Sequence, residues 1–383
     1  MDIQEFIRQN QAELLRILRD LCAIPAPSHQ EGERAAYCLQ YLRDIGAQGA
    51  YIDEALNVIF PLNCEGSNTI TVFAAHTDTV FPDKEPLPYF EDDTVIRCPG
   101  VGDDTASVAV LLLMAKFFLQ YALCPPGGVL FVCNSCEEGL GNLKGTRQLF
   151  ADYAGRIRQF VTFDSTSLSA MVDRSVGSHR YRVTVRTAGG HSYNAFGNRN
   201  AIHALAQLVE ALYAVEIPEK AGCKTTYNVG LISGGTSVNT IAQEASMLCE
   251  YRSDDLACLQ EMEAAFAARF AAAETEEVAV TVERIGERPC AGALDAARQS
   301  TLTETCREIF RQVAGTAPTC ASGSTDCNVP HSLGIPAVCV GVLEGGGAHT
   351  REEWLAKASL IPGLEIALRA GVALTLSVDG IVE

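Results

Sequence analysis

The segment CNSCEEGLGNLKG, Cys133 to Gly145, ends an apolar run, Gly128 to Val132, with two adjacent glutamates, Glu137 and Glu138. Neighbouring carboxylates at a strand end repel one another and call for a cation or a shared proton. Three other apolar runs stop in the same manner: ITVFAA runs into His76 and Asp78, FVTF into Asp164, and IPAVCVGV into a glycine loop that delivers His349. Asp103 and Asp104 stand where a strongly apolar helix opens. Two imidazoles and several carboxylates are the ligand set of a two-metal hydrolytic site, where divalent ions activate water and polarise the bond under attack. His76 and Asp78 are two apart on an extended segment and so share a face. Asp78 is placed to take the second ring N–H of a metal-ligating His76. Two unrelated loop residues would show the same spacing.

Strands and helices must alternate to bring these residues together. After an N-terminal helix, CAIPAPSHQEGE breaks the periodicity and Glu31 to Ile45 resumes it. ITVFAAHTDTV reads as strand, Thr105 to Tyr121 as helix, VLFVCNS as strand, Gly145 to Tyr153 as helix and FVTFDS as strand. Uninterrupted apolar strands between helices predict an α/β fold, with a mostly parallel sheet flanked by helices. Such sheets bind ligands beyond the carboxyl ends of their strands, where every candidate above lies. From Val176 the pattern changes to β-α-β-β-α-β: HRYRVTVRT, Asn200 to Val215, TTYNVGLI, QEASMLCEYR, Leu256 to Ala273 and VAVTVERI. This order predicts an inserted ferredoxin-like lid domain over 176–286, splitting the catalytic domain into 1–175 and 287–383. In the second part Thr301 to Val313 reads as helix, IPAVCVGV as strand and Glu353 to Leu376 as helix.

A chain of 383 residues that is 48% hydrophobic can bury a sizeable core. A net charge of -18 argues against nucleic acid as a partner, since phosphate contacts would be made against a repulsive field. The first residues, MDIQEFIRQNQAELLRILRDLC, are charged throughout with helical apolar spacing, unlike a signal peptide. No apolar run approaches the ~20 residues that span a bilayer. A cytoplasmic protein without a membrane partner is expected. The 15 cysteines, many inside apolar runs, read as reduced core residues. Cys133 and Cys136 form a C-x-x-C, which is a redox or zinc motif in other settings. Here Cys133 belongs to a strand, and no second pair accompanies it.

AAHTDTVFP, GVGDDTAS, CEEGLGNLKG, TAGGHSYNAFGNRNA, GGTSVNTIA, GSTDCNVP and GGGAHTREEW occur in that order between residues 24 and 354. Together they resemble the successive motifs of the dinuclear-zinc peptidase and deacetylase family that includes peptidase T, glutamate carboxypeptidase, aminoacylase and acetylornithine deacetylase. The surrounding motifs look most like peptidase T. The resemblance implies two zinc ions per chain, replaceable by cobalt or manganese. His76 and Asp164 would hold one ion, His349 and Glu138 the other, and Asp103 would bridge them. Glu137 would be the general base, and Asp78 would orient His76. The family pattern has Asp, any residue, Lys and then small residues, whereas this chain has Asp103, Asp104, Thr105, Ala106 and Ser107. Spacing favours Asp103 over Asp104 as the bridge, with a cis peptide bond after it. His191 would donate to the oxyanion, delivered from the partner's lid in a homodimer; the plain alternative, on a glycine-rich loop, is a turn histidine. Asn239 and Arg252 resemble positions near substrate, where Arg252 could pair with a substrate carboxylate. His29, His179, His203 and His331 match no ligand position, and surface or cap roles are expected of them.

The reading is a zinc-dependent hydrolase that cleaves an amide bond in a small peptide or an N-acyl amino acid. Asp rather than Glu at Asp164 tends to accompany aminopeptidase activity in the resembled family, which points to di- or tripeptides. A deacylase or carboxypeptidase acting on N-acyl amino acids is the alternative. From another class, a catalytically inactive metal- or ligand-binding homologue would keep the fold and lose the chemistry.

Overall fold

In the computed structural model, which describes residues 1–376, the strands Ile70–His76 and Val129–Asn134 are buried along their whole length. Alternate side chains leave opposite faces of a strand, so each strand feeds two cores. Phe73, Ala75, Phe131 and Cys133 enter one, with the helices Ile3–Cys22, Gly32–Asp44, Ala106–Gln120, Ala296–Ala314 and Leu360–Leu376. Val72, Ala74, Leu130 and Val132 enter the other, beneath the helix Lys144–Asp152. This two-sided cover is why the strand sequences lack polar alternation.

The sheet has eight strands in the order Tyr51–Ile52, Val58–Leu62, Val129–Asn134, Ile70–His76, Ile157–Thr162, Ala337–Val340, Ala170–Ser175, Thr319–Gly323. Its four central strands are parallel to one another. Val58–Leu62 joins Val129–Asn134 antiparallel, and Ala337–Val340 pairs antiparallel with Ala170–Ser175. The sheet is α/β and mostly parallel at its centre, with edge strands that the sequence did not announce because their apolar runs are short.

The chain divides into two units, one of Met1–Ser175 with Gly292–Glu383 and one of Val176–Ala291. Of the segment 287–383, residues 377–383 lie outside the described residues. The second unit has the β-α-β-β-α-β order of a ferredoxin-like fold. Its strands lie in the order Thr225–Gly234, Glu244–Ser253, Gly177–Arg186, Ala279–Arg288, every neighbouring pair antiparallel. Alternating Tyr181, Val183, Val185, Met247, Cys249 and Tyr251 meet Leu205, Leu208, Met262 and Phe266 of the helices Ala201–Tyr213 and Leu256–Ala273.

Two expectations need correction. The segment from Glu353 does not begin as helix: Trp354–Ala356 is a short strand, and the helix starts at Leu360. Lys357–Leu376 is, by length and mean hydropathy, long and apolar enough to cross a membrane, although no such run was expected. It packs on the helices Ile3–Cys22, Ala106–Gln120 and Ala296–Ala314, a core setting that accounts for its apolarity. The cysteines are free thiols; Cys133 lies within its strand and Cys136 beyond it.

Candidate metal centre

His76 is the last residue of its strand, and its ring is fully buried. Asp164 follows the neighbouring strand Ile157–Thr162 by two residues, and Glu137 and Glu138 follow Val129–Asn134 on the other side. Asp103 enters from the kinked turn Val101–Thr105 before the helix Ala106–Gln120. The peptide bond after it is cis, as the resemblance implies.

Asp103 stands between the two histidines. Its Oδ1 is 3.0 Å from His76 Nε2 and its Oδ2 3.0 Å from His349 Nε2. Asp164 Oδ1 is 3.7 Å from His76 Nε2, and Glu138 Oε1 is 3.4 Å from His349 Nε2. Ligands at ~2.1 Å around a tetrahedral ion are about 3.4 Å apart, so these separations suit imidazole and carboxylate donors around divalent metal. Ligand atoms of His76, Glu137 and Asp164 lie within 4.8 Å of one another, as do those of His76, Asp103 and Glu138. His349, at φ 65, is the exposed member, with 59% of its side chain accessible.

Asp104 faces elsewhere: its Oδ2 accepts the backbone N–H of His76 at 2.9 Å. Asp78 also differs in detail from expectation. His76 Nδ1 is 3.0 Å from the Asp78 carbonyl oxygen and 3.4 Å from its carboxylate. That carboxylate instead accepts the amides of Glu137 and Glu138, at 2.9 and 3.0 Å, and the hydroxyl of Ser28 at 2.6 Å. The preceding amide, of Cys136, donates to Glu31 Oε1 at 3.0 Å. Buried carboxylates thus hold three successive amides of the turn that presents the two glutamates. Asp326, from the GSTDCNVP segment, is fully buried and accepts hydrogen bonds from Asn134 and Thr146. Ser28, Glu31 and Asp326 escaped the sequence reading because a supporting role follows from packing; Asp104 was weighed there only as the alternative bridge, and its bond to the His76 amide was not foreseen.

Electrostatics reflect crowded anions. Burial pushes Glu138 and Asp164 each up to about 7, against the opposing pull of His349 and His76. Burial also pushes Asp326 up to about 7, with the Glu137 charge adding to it. For His76, burial favours the neutral ring, but Asp103, Asp164 and Asp78 raise it well above the usual range. Hydrogen bonds to Asp103 and Glu138 raise His349 to about 10. Burial acts to raise Asp103, yet His349 and His76 hold it below the carboxylate range. Protons here stand where a divalent cation would stand, since metal and proton compete for the same donors.

In the second unit, His191 ends the two-residue strand Gly190–His191 and pairs with Thr240. It is exposed, and its Nδ1 accepts the amides of Tyr193 and Asn194 at 3.2 and 3.4 Å. A neutral ring so bound carries its proton on Nε2 and is a donor there. Asn239 is exposed, and its carbonyl accepts the Ser192 amide at 2.9 Å. Arg252 is not free: Glu250, two residues back on the same strand face, takes its Nε and Nη2 at 2.7 and 3.0 Å. His179 and His331 are not surface residues. His179 Nδ1 is 2.7 Å from the Tyr251 hydroxyl, and His331 bridges Ser175 and the Ala337 carbonyl at 2.7 and 2.9 Å, both rings buried.

Among proteins of known description, the chain is 27% identical over 255 residues to a succinyl-diaminopimelate desuccinylase of Bordetella pertussis, covering 62% of this chain and 67% of that one. The aminopeptidase PepT of Bacillus cereus superposes with a TM-score of 0.72 at 20% identity, over 94% of this chain and 98% of its own. The Bacillus subtilis YXEP protein, a dinuclear metal binding peptidase, does so at 0.64 and 16%, over 96% and 99%. At these identities the structures speak for the fold. The family itself follows from sequence: residues 72–371 match the model of peptidase family M20/M25/M40, a span that contains His76, Asp78, Asp103, Glu137, Glu138, Asp164 and His349, and to that family the chain belongs.

Proposed function

We propose that the chain is a two-zinc aminopeptidase acting on di- or tripeptides. The observation that carries the two-metal part is the Asp103 carboxylate, with one oxygen 3.0 Å from each of two different histidines. In this reading His76 and Asp164 would hold one ion and His349 and Glu138 the other, with Asp103 placed to serve both. When bound, the ions polarise the scissile carbonyl and make water acidic enough to lose a proton near neutral pH. Glu137 takes that proton and passes it to the leaving nitrogen. Asp78 holds the amides of Glu137 and Glu138 and thereby aims both carboxylates. His191, with its proton on Nε2, donates to the oxyanion from the lid of a second copy in a homodimer. Asn239 lines the substrate, and Arg252 joins it by exchanging Glu250 for a substrate carboxylate.

The choice of peptide amine over acyl group is supported by Asp164, since Asp rather than Glu at this position tends to accompany aminopeptidase activity in the resembled family, and by the likeness to peptidase T. The desuccinylase relative favours the second reading, a deacylase on N-acyl amino acids. Hydrolysis of free di- and tripeptides compared with N-acetyl and N-succinyl amino acids, on protein of measured zinc content, decides between them. Faster turnover of the free peptides is expected. Faster release from acylated substrates would establish the deacylase, and metal-loaded protein inert towards both panels would leave the binding homologue.

A further inference from the structure

We propose that Glu353 is the positioning residue that fixes the Asp103 carboxylate between His76 and His349. The inference rests on the two-metal reading of Asp103. Glu353 is almost wholly buried. Its Oε2 accepts the amide of Gly100 at 2.6 Å, and its Oε1 accepts those of Gly102 and Asp103 at 2.8 and 2.9 Å. Those amides belong to a stretch that leaves helical geometry, with Gly100 at φ 78 and Asp103 at φ -118 and ψ 87. An ionised carboxylate is an acceptor only, with room for all three donors, and charge-assisted bonds of this kind are the stronger ones. With its own amide and two before it held, Asp103 keeps only its side-chain torsions to lose when it engages metal.

Glu353 also ties together two ligands that are remote in sequence. It immediately precedes the strand Trp354–Ala356, which pairs with Val95–Arg97 on one side and Gly345–Gly346 on the other. The first partner leads into Asp103 and the second into His349. The Glu353 carbonyl adds a bond from the Cys98 amide at 3.2 Å. Glycine at 102 keeps the cradle open, since a Cβ there would lie 3.2 Å from Glu353 Oε1 and 3.1 Å from Thr166 Cγ2.

The test compares Glu353→Gln, Glu353→Asp and Asp103→Ala with wild type. In Glu353→Gln the amide oxygen can keep two donors while the amide nitrogen meets the third amide head-on; Glu353→Asp withdraws the carboxylate by one methylene. Zinc affinity is read by competition with a chromogenic chelator, folding of the zinc-free protein by circular dichroism and Tm, and turnover as kcat and KM separately. Zinc affinity about 10- to 100-fold weaker in both Glu353 variants is expected, with kcat lowered at unchanged KM and partly restored by excess zinc. Wild-type zinc affinity with a lowered zinc-free Tm would make Glu353 a structural residue only and overturn the proposal. Should Glu353→Gln fail to fold, Glu353→Asp decides by the same comparison. If Asp103→Ala retains both ions at wild-type affinity, the two-metal reading itself fails and this inference with it.

Discussion

Glu137 and Glu138 are neighbours in the chain but meet different surroundings: Glu138 faces His349, and Glu137 groups with His76 and Asp164. Glu137→Gln should lower kcat by about 10²-fold or more with both zinc ions retained, whereas Glu138→Gln should weaken zinc binding about 10- to 100-fold. Turnover and zinc content measured on the same preparations check both; near wild-type kcat in Glu137→Gln at saturating zinc would remove it as the base. The residue types were legible from sequence, since two histidines and several carboxylates gathered at strand ends are the donor set of a divalent-metal site. Which atoms they face was not, and Asp78 is the instructive case, holding amides rather than chiefly the ring. His331 supplies a pH dependence at this scale. Burial lowers its pKa below the ordinary value. Below pH ~6.5 the unfolded chain then binds a proton that the folded chain refuses, so stability falls as pH falls, by at most about 1.4 kcal/mol per pH unit. In zinc-free protein, Tm between pH 7 and 5.5 should drop more steeply for wild type than for His331→Gln; parallel slopes would show that His331 does not titrate on unfolding.

Elements with strong apolar character were readable because burial on two sheet faces leaves little choice of residue. Leu256–Ala273 is a helix over the expected residues, and Ile70–His76 forms the first seven residues of the expected strand ITVFAAHTDTV. Trp354–Ala356 was misread because three residues carry no periodicity, and only pairing on both sides makes them a strand. The helix Leu360–Leu376 touches the sheet domain more closely than its composition reveals. A Cβ added to Gly363 would overlap the carbonyl oxygen of Val342, and backbone cannot move aside as a flexible side chain can. Gly363→Ala should therefore destabilise by about 3 kcal/mol, seen as a lowered Tm or as loss of soluble protein. A variant with wild-type Tm would mean the helix can slide at that contact.

At the scale of the whole molecule, the proposed use of His191 makes activity depend on a second copy. His191→Ala and Glu137→Gln should each be inactive alone, yet mixed dimers should regain activity, because one site in each pairs intact His191 with intact Glu137. Subunit exchange is verified separately by differently tagged chains. Exchange without recovery, or full activity in a dilute monomer, would return His191 to a turn residue.

From sequence alone came the alternation of two patterns, the order of the ligand-bearing segments and the family to which they belong, because each is a property of local composition and spacing. Tertiary structure alone decided which oxygen meets which histidine, that Asp104 serves a backbone amide while Asp103 lies between two rings, and that Arg252 is already occupied by Glu250. These outcomes depend on contacts between residues as far apart as Gly100 and Glu353, and no local pattern encodes a distance across a folded chain.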